Sequence, residues 1–136
     1  MVGEVLFGGE SLKIIIDGND GTGKTTLVNS LRVLGYEVQD RGLLTKMTDG
    51  SQEAPDSDAL YILLDAPVEV CRDRLREAGK DLNEPFHTSD DLNRYRQLFL
   101  ESARKIPGCV IIDAVNGREA VLAIALVSIS ERKRPR

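Results

Sequence analysis

Leu12-Lys13-Ile14-Ile15-Ile16-Asp17-Gly18-Asn19-Asp20-Gly21-Thr22-Gly23-Lys24-Thr25-Thr26 is the stretch that decides how this chain folds. Its opening is apolar and β-branched as far as Asp17, the pattern of a strand buried in a parallel sheet. Gly18 to Thr25 then fits G-x-x-x-x-G-K-[ST], whose glycines let successive backbone N–H groups turn inward toward phosphate oxygens. Leu27, Leu31 and Leu34 follow at spacings of four and three, the apolar face of a helix that stops at Gly35. Strand, glycine loop and helix is the context the loop requires. The reading assigns Gly18, Asn19, Asp20, Gly21, Thr22, Gly23, Lys24, Thr25 and Thr26 to binding a nucleoside triphosphate. Lys24 adds charge near the β and γ phosphates, the Thr25 hydroxyl is suited to Mg²⁺, and the helix N-terminus adds partial positive charge.

Working outward, Tyr36-Glu37-Val38-Gln39 is a short strand running into Asp40-Arg41, Leu60 to Leu64 a buried strand closed by Asp65, and Cys109 to Ile112 another closed by Asp113. Between them the spacing predicts a helix after Pro67 that carries Val70, Cys71 and Leu75 inward until Gly79, and a second over Asp90 to Lys105. A last helix is capped by Asn116 with Glu119 three residues on, and its run from Val121 to Ile129 packs it firmly. Strands alternating with helices predict an α/β fold, a three-layer sandwich around a parallel sheet. A ligand of such a sheet binds outside the carboxyl ends of the strands. The glycine loop, Asp40-Arg41, Asp65 and Asp113 all fall there, with Asp65 read as a helix cap in preference to a magnesium ligand. Gly42 to Asp58 reads as a long polar loop and Lys80 to Thr88 as irregular. His87 has no partner at a metal or catalytic spacing and is read as non-catalytic. Met1 to Glu10 is read as a short hairpin or a frayed, peripheral end.

At 136 residues, 41% hydrophobic and 29% charged, the chain has the composition of one ordinary globular domain spanning residues 1–136. Cys71 and Cys109 lack a metal-ligand spacing and suit buried apolar positions in a reducing compartment. No apolar run reaches membrane-spanning length and no signal pattern opens the chain, so the expectation is no membrane partner and a cytoplasmic location. The net charge of −4 is uneven: residues 131–136 carry four positive charges and one negative, leaving −7 on the rest. That basic tail is either a contact for phosphate backbones or a solvated end.

The loop from Asp17 to Thr26 resembles the E-G-x-D-G-x-G-K-[ST]-T of the thymidylate-kinase-like group of P-loop nucleoside and nucleotide kinases. Asp40-Arg41 resembles that group's D-R pair. Leu63-Leu64-Asp65-Ala66-Pro67-Val68-Glu69-Val70 with Arg72-Asp73-Arg74-Leu75 resembles its L-D-x-x-P-E-V-A-x-x-R-I segment, which leads into an arginine-bearing lid. Ile112-Asp113-Ala114 with Glu119-Ala120-Val121 resembles its closing segment near the adenine. The resemblance implies ATP and Mg²⁺ as cofactors and Lys24, Asp40, Arg41 and Arg74 as catalytic residues. Asp20 would face the acceptor sugar, and Asp40 would join Thr25 at Mg²⁺ or take a proton. Arg41 would bridge donor and acceptor phosphates, and Arg74, with Arg76 beside it, would close over the transferring phosphoryl. A solvated ion-pair face with Glu69, Asp73 and Glu77 is the alternative for these lid arginines.

The chain departs from that group on the acceptor side. Only Gly35 to Gln39 separates the first helix from Asp40-Arg41, where the group has a helical pocket wall, so the acceptor-binding region is reduced. With Thr45-Lys46-Met47-Thr48-Asp49, this resembles the compact phage-type kinases of 5-hydroxymethyluracil in DNA. That resemblance implies a modified pyrimidine in DNA as acceptor, with Asp40 first and Asp20 second as proton acceptor, Lys46 on the DNA backbone, and a host cytoplasm as location. A free pyrimidine deoxynucleotide or deoxynucleoside is the alternative acceptor. A regulatory nucleotide-binding ATPase is the alternative of another class, although Leu63-Leu64-Asp65-Ala66 is at best half of a paired acidic Walker B strand.

Overall fold

Three consecutive isoleucines, 14 to 16, cannot all face one way along an extended chain, because successive side chains alternate between faces. In the computed structural model, which describes residues 12–133, Ile14 and Ile16 enter one core and Ile15 another. They belong to β1 (Lys13–Gly18), which is followed by α1 (Lys24–Val33), β2 (Glu37–Asp40), α2 (Leu43–Thr48), β3 (Ala59–Asp65), α3 (Val68–Glu77), α4 (Ser89–Arg104), β4 (Val110–Asp113) and α5 (Arg118–Arg132). The four strands are parallel in the order β2-β1-β3-β4. The predicted α/β sandwich is therefore the observed one.

Burial on both faces fixes the layers. Leu60, Ile62 and Leu64 of β3 join Ile14 and Ile16 against Leu27, Val28 and Leu31 of α1 and Val121, Ala125 and Ile129 of α5. Ala59, Tyr61 and Leu63 join Ile15 against Leu43 and Leu44 of α2 and Phe99 and Ala103 of α4. Register then sets the site: Ile16 pairs with Asp40, so β2 ends beside the start of the glycine loop. Cys71 and Cys109 are free thiols, pushed up to about 11 and about 12 by burial, and are inert packing residues at neutral pH.

Four expectations are corrected. Residues 43–48 form α2 where a loop was expected; Leu43 and Leu44 are buried, and their burial organises an otherwise polar segment. The cap of α5 is Gly117, with no side-chain bond, while Asn116 is exposed. Ile124 and Val127 are exposed, because α5 turns Val121, Ala125 and Ile129, flanked by the partly buried Leu122 and Leu126, toward the core. The basic end begins inside α5: Arg132 donates to the carbonyls of Ala59 (2.7 Å) and Ser57 and so clasps the start of β3. Residues 134–136 and Met1 to Glu10 lie outside the described residues.

The turn from β2 into α2 is held from a distance. Asp17, fully buried at the end of β1, accepts through Oδ1 from the Gly42 N–H (2.9 Å), the Thr45 N–H (3.2 Å) and the Thr45 hydroxyl. Its carboxylate thus does for α2 what an N-cap residue normally does locally. Gly42 is required there because a Cβ would strike Ile15 Cγ2. Asp17→Ala strands three donors in the interior and is expected to lower stability by roughly 2–4 kcal/mol. Asp17→Asn, which keeps an acceptor oxygen, is expected to lose less. Urea unfolding at unchanged m-value measures both, and equal stability of Asp17→Ala and the parent would remove the cap.

Candidate active site

The glycine loop is shaped by contact as well as by sequence. Gly21 has φ 90°, and a Cβ on it would lie 2.6 Å from the Cys71 carbonyl oxygen, so no other residue fits between the loop and α3. Asn19 Nδ2 donates to the Leu92 carbonyl (2.8 Å), and the Thr22 hydroxyl to the Asn19 carbonyl (2.7 Å). The loop is thus mounted on α3 and α4 before any ligand arrives. Lys24 opens α1 and is buried, 7% exposed.

One cleft of about 610 Å³ brings together most of what the sequence singled out: Asn19, Asp20, Gly21, Gly23, Lys24, Thr25, Thr26, Asp40, Arg41 and Arg74. Gly18 lines the adjoining acceptor-side cavity and Thr22 a second neighbouring cavity. Arg41, at φ 68°, donates from Nη2 to Asp20 Oδ1 (3.2 Å). Arg74 stands at the border of two cavities. Its Nη1 donates to the Gly21 carbonyl (3.3 Å), and its Nη2 to those of Ala114 (2.6 Å) and Val115 (3.3 Å). The guanidinium therefore laces the glycine loop to the β4–α5 connection. Arg76 pairs with Asp73 at 2.8 Å on the exposed surface of α3, the ion-pair alternative.

Asp65 is not a cap. It accepts from Arg96 Nε (2.8 Å) and Nη2 (3.0 Å), joining β3 to α4, and α3 starts behind Pro67 with no side-chain cap. His87, set aside in the sequence, lies in the cleft. It is buried, with Nε2 3.0 Å from Asp20 Oδ2 and Nδ1 3.1 Å from the Asp81 carbonyl oxygen. Arg72 Nη1 donates to the carbonyls of Leu82 (3.1 Å) and His87 (2.9 Å), folding residues 80–88 inward. Asp20 is thus shared between Arg41 and His87. No local spacing signals the His87 contact, because its partner is 67 positions away.

Two further cavities flank the cleft. One of about 320 Å³ lies between α1 and the β4–α5 connection, lined by Leu27, Ser30, Asn116, Gly117 and Leu122 among others. The other, about 330 Å³, lies on the α2 side and is walled by Thr45, Thr48, Phe86, Tyr95 and Phe99, with Asp20 and Arg41 also lining it. The reduced acceptor region expected from sequence therefore retains a wall, supplied by α2 and the start of α4. For Mg²⁺ the donor chemistry fits. Thr25 and Asp40 are exposed oxygen ligands in one cleft, and this ion takes one or two protein oxygens together with phosphates and water. Among the described residues no cluster of three His, Cys, Asp or Glu could hold a metal unaided.

The α/β fold, with its four-stranded parallel sheet, is like that of a solved deoxynucleoside kinase. The chain is 37% identical over 83 residues to thymidylate kinases of two Xylella fastidiosa strains, Temecula1 and M23. That stretch is 61% of this chain but only 38% and 36% of theirs, so the chain matches little more than a third of the length of these relatives. The structure of deoxyadenosine kinase from M. mycoides with bound dCTP superposes with a TM-score of 0.67 at 13% identity, covering 88% of this chain and 100% of that one. No family model matches. Among the described residues no helix is long and apolar enough to cross a membrane.

Burial pushes the Lys24 ammonium below the usual lysine value and the Arg41 charge adds to this, while Asp20, Asp40 and Asp17 pull the other way. Between that lowered value and the ordinary 10.5 the unfolded chain holds more protons, so Lys24's contribution to stability rises with pH in that window and is a cost below it. A bound triphosphate restores the favoured charge. Binding at alkaline pH is therefore expected to take up protons, an uptake that vanishes in Lys24→Met. Calorimetry in two buffers of different ionisation enthalpy reads it, and identical uptake in both proteins would exclude Lys24 as the source.

Proposed function

We propose that this protein is an ATP- and Mg²⁺-dependent phosphotransferase acting on a nucleobase-bearing acceptor. The observation that carries the reading is the placement of Lys24, Thr25, Asp40 and Arg41 in one cleft, with a cavity on either side of it. ATP lies along the glycine loop, its adenine in the cavity beside Leu27, Asn116 and Leu122. Thr25 would hold Mg²⁺, with Asp40 as the alternative second oxygen, and the ion when bound would neutralise charge on the β and γ phosphates. Lys24 holds the γ phosphate, and Arg41 faces the incoming acceptor. The acceptor hydroxyl oxygen bonds to the γ phosphorus as the bond to the β–γ bridging oxygen breaks, and ADP leaves with that electron pair. The hydroxyl proton passes to Asp40. Asp20 is the weaker candidate, because it already accepts from Arg41 and His87. Arg74, spent on backbone carbonyls, holds the walls of the site together and borders the phosphates.

The preferred acceptor is the hydroxymethyl group of 5-hydroxymethyluracil in DNA. Its support is the shortness of the acceptor wall, the six residues of α2, and the half-open aromatic rim at Phe86, which leave room for a substrate larger than a mononucleotide. A free pyrimidine deoxynucleotide or deoxynucleoside is the second reading, favoured by the likeness to thymidylate kinases.

Incubation with γ-labelled ATP and Mg²⁺ separates these. Label is expected in 5-hydroxymethyluracil DNA and not in unmodified DNA. Label confined to thymidine or its monophosphate would establish the second reading, and label in none would remove the kinase. Asp40→Asn is expected to cut kcat by roughly 10² or more with little change in ATP affinity. A loss of MgATP affinity with kcat retained would move Asp40 from the proton to the metal.

A further inference from the structure

Phe86 is placed as a filler residue would not be. It is 53% exposed, and its backbone has φ 73°, a conformation rare for any residue but glycine. Two polar anchors impose this. The Phe86 N–H donates to Asp91 Oδ2 (2.9 Å), and the Asp91 N–H in turn donates to the Thr88 hydroxyl (3.1 Å) that caps α4. The next residue, His87, is buried and fixed on Asp20. A strained backbone is thus held so that an aromatic ring stays out of the core.

The ring has a destination. With Tyr95 and Phe99 it walls the cavity of about 330 Å³ that Asp20 and Arg41 also line, and its centroid is 5.4 Å from that of Tyr95, tilted by 50°. That volume is at the small end for organic ligands, and its apolar walls are aromatic. A planar, weakly polar group entering it meets the open part of Phe86, and Asp20 and Arg41, which line both this cavity and the glycine-loop cleft, join the two.

We propose that the acceptor's nucleobase stacks on Phe86, and that Asp91 is the positioning residue that holds the ring open for it. This rests on the phosphotransferase reading and narrows it: the acceptor is recognised through its base from the side of residues 84–91, and not only through sugar or phosphate. Phe86 is then a binding residue. Asp91 touches no substrate and acts through the Phe86 backbone.

The chain contains no Trp, so Phe86→Trp installs a single indole at the point in question. Full-length Phe86→Trp is titrated with thymidine, with a single-stranded oligonucleotide carrying 5-hydroxymethyluracil, and with ribose 5-phosphate as a base-free control. Saturable quenching by a base-bearing acceptor and none by ribose 5-phosphate is expected. Phe86→Leu is expected to raise the acceptor KM about tenfold or more, in line with the worth of one base–aromatic stack, while ATP affinity stays within about twofold. Asp91→Ala is expected to raise the same KM with kcat little changed, and Asp91→Asn, which keeps an acceptor oxygen, to restore most of it. Phosphoryl transfer without quenching, and with an unchanged KM in Phe86→Leu, would overturn the stacking and leave the kinase standing. Saturable quenching without transfer to any acceptor would keep the stacking and remove the kinase. Quenching that follows protein concentration alone would assign Phe86 to self-association and overturn the proposal.

Discussion

Asp17 ends the central strand as a carboxylate sealed from water, and its Oδ1 gathers two backbone N–H groups and a hydroxyl from the segment after β2. Everything that faces the cleft from that segment depends on this set of bonds. It adds to the Arg41 N–H bond on the Ile16 carbonyl (2.9 Å) and to the packing of Leu43 and Leu44 with Ile15, so that Arg41 at its positive φ and α2 are both tied to β1. A buried carboxylate is costly unless its partners are donors, and an uncapped helix start supplies donors at close range. The same contact therefore satisfies Oδ1 of the acid and starts the helix, while Oδ2 is buried without a partner and Asp40-Arg41 is held beside the glycine loop by strand pairing and by the Arg41 N–H on the Ile16 carbonyl (2.9 Å).

The donor side is assembled by a different kind of tie. Gly21 sits on the Cys71 carbonyl, Asn19 holds the Leu92 carbonyl, and Arg74 spans the carbonyls of Gly21, Ala114 and Val115. These bonds run from loop to backbone on three different elements. They fix the shape of the glycine loop in the free protein, the kind of preorganisation through which electrostatic stabilisation would act under the proposed function. Burial of Lys24 belongs with them: the ammonium loses hydration in the free protein, and under the proposed function a bound triphosphate would return a partner to it.

What was legible in the sequence follows the range of the interactions. The four strands and the glycine loop were readable because buried strands and phosphate loops are written in consecutive residues, and the site residues share one cleft because parallel strands end on one edge. The helix over residues 43–48 was hidden because its cap lies 25 positions upstream and only two of its residues are strongly apolar. Asp65 looked like a local cap, whereas its partner Arg96 is 31 positions on. His87 had no nearby partner because Asp20 is 67 positions away. Arg132, read as part of a charged tail, is a clasp for the same reason, its acceptor lying 73 positions back. Composition and periodicity report on neighbours along the chain, and each of these contacts joins segments that only the sheet brings together.

The two sides of the cleft also differ in what substitution can change. The donor side is tied largely through main-chain carbonyls and a glycine contact, which persist through most side-chain replacements elsewhere. The cavity on the α2 side is drawn from side chains of residues 45–49 and 86–99 together with Asn19, Asp20 and Arg41. β2, its turn and the Asp17 bonds to Gly42 and Thr45 connect the first of these to the glycine loop. Under the proposed function, preference for what receives a phosphoryl group would be free to drift while the triphosphate site stays fixed, which would make this scaffold evolvable on one flank and conservative on the other.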